Sequence, residues 1–294
     1  AAYDVTGKSI AELAAAQSQG RVTALQLVDA YLARIARLDR AGPALHSVLA
    51  INPQARAQAR ALDHERSAGH VRGPLHGIAL LIKDNIETAD PMPTTAGSLA
   101  LAGNLGGRDA PLVARLRAAG AVILGKTNLS EWANIRSTVS VSGWSAVGGQ
   151  TRNPYALDRS ACGSSSGSGA AVAASLAAAA IGTETDGSIT CPASLNGLVG
   201  IKPTVGLVSR SYVVPISHSQ DTPGPITHTV ADAALLLGII AGTDPLDPVT
   251  GEADAHKWGP TEALADADLK GVRVGVMRVS SALPQVKALL DATI

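Results

Sequence analysis

The chain has 294 residues, 46% of them hydrophobic, and its 24 Lys+Arg are balanced by 24 Asp+Glu. That length and apolar content suffice for one large core or two ordinary ones. Zero net charge gives no long-range field to draw in a phosphate backbone or an anionic membrane, and no run approaches the ~20 apolar residues of a spanning helix.

Neither nucleic acid nor membrane is therefore expected as a partner. The opening Ala1-Ala2-Tyr3 shows no initiator Met and no basic-then-apolar leader, so an export signal is expected to have been removed or never present. Localisation is not assigned by this. Ser9-x-x-Glu12 and Thr23-x-x-Gln26 are two capping boxes, the second followed by Leu27, Val28, Tyr31, Leu32 and Ile35 at helical spacing. Two amphipathic helices are predicted in the first 40 residues. Ile78-Ala-Leu-Leu-Ile82, bounded by Gly77 and by Asp84-Asn85, is too short for a helix and reads as a buried strand with Lys83 at its end. A helix over 111–119 and a strand over 121–124 follow. Strand, helix and strand in that order indicate an α/β layer architecture.

Residues 158–169 are polar and Gly/Ser-rich and are predicted as a loop, feeding a small-residue apolar helix over 170–181. Cys162 and Cys191 are too few for a disulfide framework, match no zinc spacing, and fit oxidising and reducing compartments alike. Thr229-x-x-Asp232 caps a further helix running through Ile240, residues 243–268 look irregular, and 272–276 resume a strand pattern. The final residues, 284–294, read as a helix interrupted before any stop signal, which suggests an incomplete chain.

The run Cys162-Gly-Ser-Ser-Ser-Gly-Ser-Gly169 admits three readings. A phosphate loop needs a Gly-Lys-Ser/Thr ending, and no lysine follows. A nucleophile elbow, Gly163-Ser-Ser-Ser-Gly167 with Ser165 central and His218, His228 or His256 downstream, needs a strand directly before it. Residues 153–161 make no apolar run. A bland linker is the default for a Gly/Ser run, but Gly182-Thr-Glu-Thr-Asp-Gly-Ser188-Ile-Thr-Cys-Pro192 adds a second Gly-punctuated polar loop. Such turns can aim successive N–H groups at one point, as an oxyanion needs.

Both loops together with Lys83 resemble the amidase-signature family. The matching residues are Gly77-Ile-Ala-Leu-Leu-Ile-Lys83-Asp-Asn-Ile86, 163–169, 182–188 and Gly197-Leu-Val-Gly-Ile-Lys-Pro-Thr204. Four separated motifs stand in the family's order, with its 24-residue interval from Ser164 to Ser188. Ser130-Glu-Trp-Ala-Asn134, Ser142-Gly-Trp-Ser145 and Gly148-Gly-Gln-Thr-Arg-Asn-Pro-Tyr155 look closest to bacterial peptide amidases, which remove the C-terminal amide of peptides.

The resemblance implies a single amidase-signature domain over 1–294, a mixed twisted sheet covered by helices on both faces. N-terminal helices would occupy 1–70, the catalytic core 71–242, and the start of a truncated C-terminal portion 243–294. By the same likeness Ser188 is the nucleophile, Ser164 relays its proton after a cis peptide bond, and an uncharged Lys83 is the base. The backbone N–H groups of Thr185, Asp186, Gly187 and Ser188 would form the oxyanion hole. No metal or organic cofactor is required, the substrate is a small-molecule or peptide amide, and the protein is expected to be a monomer. A free lysine titrates near 10.4, so the base needs burial to lose its proton near neutrality, and Asp84 must point away from it. Many relatives carry Gly at positions 162, 166 and 186 and Arg at 190, where this chain has Cys162, Ser166, Asp186 and Thr190. Loss of that Arg argues against substrates held by a carboxylate beside the scissile amide. The rivals are a truncated, non-catalytic binding module and a glutamine-hydrolysing amidotransferase subunit.

Overall fold

The computed structural model describes residues 3–257, 259, 264, 268, 270–276 and 283–294. Both capping boxes form. Ser9 Oγ accepts from the Glu12 N–H at 3.2 Å while Glu12 Oε2 accepts from the Ser9 N–H at 2.9 Å, and Thr23 and Gln26 repeat the exchange at 3.1 and 2.9 Å. They open helices α1 (Ile10–Ser18) and α2 (Ala24–Arg34). Leu27, Val28, Tyr31 and Leu32 recur at helical spacing and are all buried, so this stripe anchors α2 to the core.

A six-stranded sheet forms the centre, built from β1 (Val48–Ile51), β2 (Ala79–Lys83), β3 (Val122–Thr127), β6 (Ala179–Glu184), β7 (Val199–Gly200) and β8 (Thr222–Thr227). Its spatial order is β1-β3-β2-β6-β8-β7. The central strand β2 runs parallel to β3 and β6, whereas β1, β8 and β7 join antiparallel. Every residue of β2, β3 and β6 is buried, which requires cover on both faces. Helices α3 (Ala55–Ser67), α4 (Pro111–Ala118), α5 (Ser166–Ala173) and α7 (Val230–Ile240), with α2, supply most of that cover, while α6 (Thr190–Leu195) packs against α5 and β7. A small hairpin, β4 (Trp144–Ser145) with β5 (Gly149–Gln150), stands apart from the sheet. Among the described residues no helix is long and apolar enough to cross a membrane.

Two expected elements are corrected. The helix predicted over 170–181 begins earlier, at Ser166 inside the expected loop, and ends at Ala173, and the chain then enters β6 at Ala179. An Ala-rich run has no periodicity to separate helix from strand, and lateral pairing with β2 and β8 makes 179–184 a strand. The strand predicted over 272–276 does not form: these residues are exposed and pair with no strand among the described residues. Part of the irregular stretch expected over 243–268 lies outside the described residues. β8, Thr-Pro-Gly-Pro-Ile-Thr, was not predictable from strand propensity, since proline removes a ladder donor. Pro225 O accepts from the Ile201 N–H at 3.2 Å, so the polar side of residue 225, and of 223 two positions before it, faces away from β6. The ladder to β6 therefore loses nothing to either proline.

Candidate active site

Because β2 and β6 are parallel neighbours, with Ile82 opposite Ile181, their C-terminal ends emerge on one edge of the sheet. Lys83 closes β2 there, and Thr183 and Glu184 close β6. This is the edge at which α/β sheets place their ligand crevices. Ser164 lies in the turn entering α5, after a cis peptide bond between Gly163 and Ser164. The Ser130 N–H donates to Ser164 O at 3.0 Å, the Ser165 N–H to Ser188 O at 3.0 Å, and Ser165 Oγ to Thr183 O at 3.0 Å. The two serine loops and the end of β6 are thus tied through Ser165. Gly167 permits the approach: a Cβ there would lie 2.3 Å from Ser47 O and 2.5 Å from Asn128 N.

Lys83 is fully buried, and its Nζ lies 2.8 Å from Ser164 Oγ, 2.8 Å from Thr183 Oγ1 and 3.1 Å from Thr183 O. Asn85 Nδ2 donates to the same Thr183 hydroxyl at 3.0 Å and fixes it from the other side. Burial pulls the Lys83 amine down to about 7, against the opposing pull of the Glu184 and Asp221 carboxylates. Among the described residues no carboxylate contacts the amine directly, so near neutrality a large fraction is uncharged and holds a lone pair for a hydroxyl proton.

Asp84, the first residue of the turn after β2, points away from Lys83 and toward Thr95. Its carboxylate accepts from the Thr95 N–H at 3.1 Å and from the Thr95 hydroxyl. Burial raises the Asp84 carboxyl to about 6, with buried Lys126 as the nearest opposing charge. Lys126 Nζ donates to Ile86 O at 2.6 Å and Thr94 Oγ1 at 2.8 Å, bracing the turn that follows Lys83 from the opposite face.

Ser188 is 7% exposed at the tip of the loop between β6 and α6. Its Oγ forms no hydrogen bond among the described residues, so the expected hydroxyl-to-hydroxyl link to Ser164 is not closed here, whereas the link from Ser164 to Lys83 is. Catalytic hydrogen bonds of this kind commonly tighten in the complex with substrate. Glu184, which sequence reasoning left without a role, organises the loop: its carboxylate accepts from the N–H groups of Gly187 at 2.8 Å, Ile189 at 2.7 Å and Thr190 at 2.9 Å. Gly187 adopts φ +76°, the left-handed turn that favours glycine. Of the four N–H groups expected to face an oxyanion, that of Gly187 is therefore committed to Glu184. Those of Thr185, Asp186 and Ser188 have no acceptor among the described residues. Lys202 Nζ holds Thr185 O at 2.7 Å, which turns the N–H of Asp186, in the same peptide plane, the other way.

Cys162 and Cys191 form a disulfide that joins these loops. Their count gave no signal for it; the available clue was that each stands within three residues of a motif serine. A cavity of about 410 Å³ adjoins the site through Asn85, Thr183 and Thr185 and extends to Arg210, His218 and Asp247, but Lys83, Ser164 and Ser188 do not line it. His218 thus reaches the neighbourhood without meeting either serine, while burial lowers the titration of half-buried His228 against the pull of Asp232, and His256 is exposed near Glu252. Among the described residues no cluster of three or more His, Cys, Asp or Glu could hold a metal ion.

Fold and site together define an α/β protein with a buried lysine–serine pair at the C-terminal edge of its parallel strands. The family model "Amidase" matches residues 26–294, and the chain belongs to that family. A probable amidase of Arabidopsis thaliana is 48% identical over 285 residues, 96% of this chain and 55% of the relative. A glutamyl-tRNA(Gln) amidotransferase subunit of Streptomyces coelicolor is 44% identical over 94% of this chain and 53% of its own length. The crystal structure of native peptide amidase from Stenotrophomonas maltophilia superposes with a TM-score of 0.82 at 61% identity, covering 83% of this chain and 50% of that one. The chain spans about half the length of the relatives it matches. Those relatives include plant, fungal and bacterial proteins, so the likeness assigns no bacterial source.

Proposed function

We propose that the chain is an amide hydrolase that releases ammonia from a carboxamide, with C-terminally amidated peptides as substrate. The carrying observation is the fully buried Lys83 amine, drawn down to about 7, 2.8 Å from Ser164 Oγ. In this reading uncharged Lys83 takes the proton of Ser164, Ser164 takes that of Ser188, and Ser188 Oγ attacks the amide carbon. The N–H groups of Thr185, Asp186 and Ser188 stabilise the oxyanion, each worth about 3–4 kcal/mol where the site is dry. The proton returns to the departing nitrogen, which leaves as ammonia, and water releases the acid from Ser188. Residues 1–294 then act as one amidase-signature domain: helices over 1–70, core over 71–242 and the start of a C-terminal portion over 243–294.

The peptide substrate is supported by the 61% identity to the Stenotrophomonas peptide amidase. Glutamine hydrolysis is the second reading, favoured by the likeness to the Streptomyces amidotransferase chain. Thr190, whose hydroxyl lies 3.2 Å from Glu184 Oε2, weighs against it by offering no cation to a substrate carboxylate. Ammonia release from amidated peptides, fatty amides, malonamate and glutamine separates these readings. Turnover is expected on amidated peptides, falling at least ~10³-fold in Ser188→Ala and in Lys83→Ala, while alanine at His218, His228 or His256 leaves it within a few-fold. Preference for glutamine, a histidine variant as inactive as Ser188→Ala, or no turnover on any amide overturns the reading, the last in favour of a non-catalytic binding module.

A further inference from the structure

The disulfide between Cys162 and Cys191 spans 29 positions of sequence and closes the two serine loops on each other. Cys162 stands two residues before Ser164, and Cys191 three after Ser188. The other direct bonds between the segments run through Ser165 and Asn196. The Ser165 N–H donates to Ser188 O at 3.0 Å, and its Oγ donates to Thr183 O at 3.0 Å and accepts from the Thr183 N–H at 3.2 Å. Asn196 Nδ2 donates to Ala161 O at 3.0 Å. Ser188 Oγ itself is held by no hydrogen bond among the described residues. Cys162 also sits at φ +59°, a backbone region that side-chain-bearing residues rarely adopt unless their surroundings impose it. Both cysteines are partly exposed, as attack by a small dithiol requires. On the β6 side Lys83 is held by Thr183, whose hydroxyl Asn85 also engages, and neither of these contacts involves a cysteine.

We propose that the Cys162–Cys191 bridge is the positioning device that holds the loop of Ser188 on the loop of Ser164, and that opening it with a dithiol reversibly slows acylation. This rests on the amide-hydrolase reading. In the opening step a reagent thiolate attacks one sulfur, the other departs as a thiolate, and the reagent's second thiol closes on the mixed disulfide. Two electrons pass to the bridge, each cysteine gains one proton, and the dithiol leaves as a cyclic disulfide.

The test uses the native chain before and after dithiothreitol, with two thiols per chain titrated under native conditions as proof of opening. Two readouts follow: kcat and KM on an amidated dipeptide across pH, and hydrogen exchange at the Ser165 amide with Ile181 of β6 as the slow control. Reduction should lower kcat at least tenfold, leave KM within twofold and leave the acid limb set by Lys83 in place. Ser165 exchange should speed at least tenfold while Ile181 stays slow, and reoxidation should restore both readouts. The variant Cys162→Ala/Cys191→Ala should match the reduced protein and ignore dithiol. Unchanged Ser165 exchange, or unchanged kcat in an active chain with both thiols titrated, overturns the proposal. If the oxidised chain shows no turnover, the hydrolase reading fails and Ser165 exchange alone decides the clamp.

Discussion

A primary amine is an ordinary side chain in water and a base only when dried. Lys83 is dried by the strands on either side of β2, and the first polar atoms it meets are hydroxyls and a carbonyl, not carboxylates. The turn that follows the strand sends Asp84 to the other side, where Thr95 and Lys126 engage it, so the neighbour most able to recharge the amine is removed. A pH dependence follows with a definite sign. The base must be unprotonated to accept from Ser164, and burial brings its titration to about 7, so kcat/KM should climb roughly tenfold per pH unit below that value and level off above it. A rate flat from pH 5 to 9, measured as ammonia release, would show that this amine takes no proton in the limiting step.

The entry to α5 shows how tightly backbone geometry constrains the serine loop. In the middle of a helix glycine is about 1 kcal/mol worse than alanine, so Gly167→Ala judged by propensity alone should stabilise. Here the added Cβ would stand 2.3 Å from Ser47 O and 2.5 Å from Asn128 N, both backbone atoms that cannot swing aside, and relieving such overlap costs about 1–3 kcal/mol. Overlap outweighs propensity: Gly167→Ala should lower the melting temperature and, by displacing Ser165 and Ser164, depress activity more than stability. A variant as stable and active as the wild type would mean that the loop yields more readily than these distances imply. The capping boxes, the β2 run and the two serine motifs were legible because each is written in contiguous residues with a periodicity or a punctuation. The Ala-rich segment before Glu184 was misread because alanine's helix propensity was overridden by lateral pairing with β2 and β8, and β8 was missed because its two prolines are tolerated only through the side of the strand they occupy. Asp84 turning away could be anticipated from the need to keep the amine uncharged, but Glu184 gathering three N–H groups and the pairing of Cys162 with Cys191 depend on where distant loops meet. No local pattern records that.

Chemistry at Lys83 is bought with stability of the entire fold, and the linkage can be measured. Unfolded, the amine titrates at 10.5, and folded, at about 7. Between those values the unfolded chain binds more protons, so this residue makes native stability rise with pH across that window and fall as pH drops toward 7. The full span corresponds to about 4–5 kcal/mol. Lys83→Met keeps an apolar stem of similar length and removes the titration. It also removes the amine's bonds to Ser164 and Thr183: Thr183 O still accepts from Ser165 Oγ and Thr183 Oγ1 from Asn85 Nδ2, but the fully buried Ser164 hydroxyl loses its partner, so the loss is about 1–3 kcal/mol. Burial outweighs hydrogen bonding at neutrality: the inactive Met variant should exceed the wild type by ~1–3 kcal/mol at pH 7 in denaturant melts, the margin shrinking with rising pH and gone before 10.5. A variant less stable at pH 7, or a margin independent of pH, would mean that the folded protein keeps this lysine charged, and a charged lysine cannot accept the proton of Ser164.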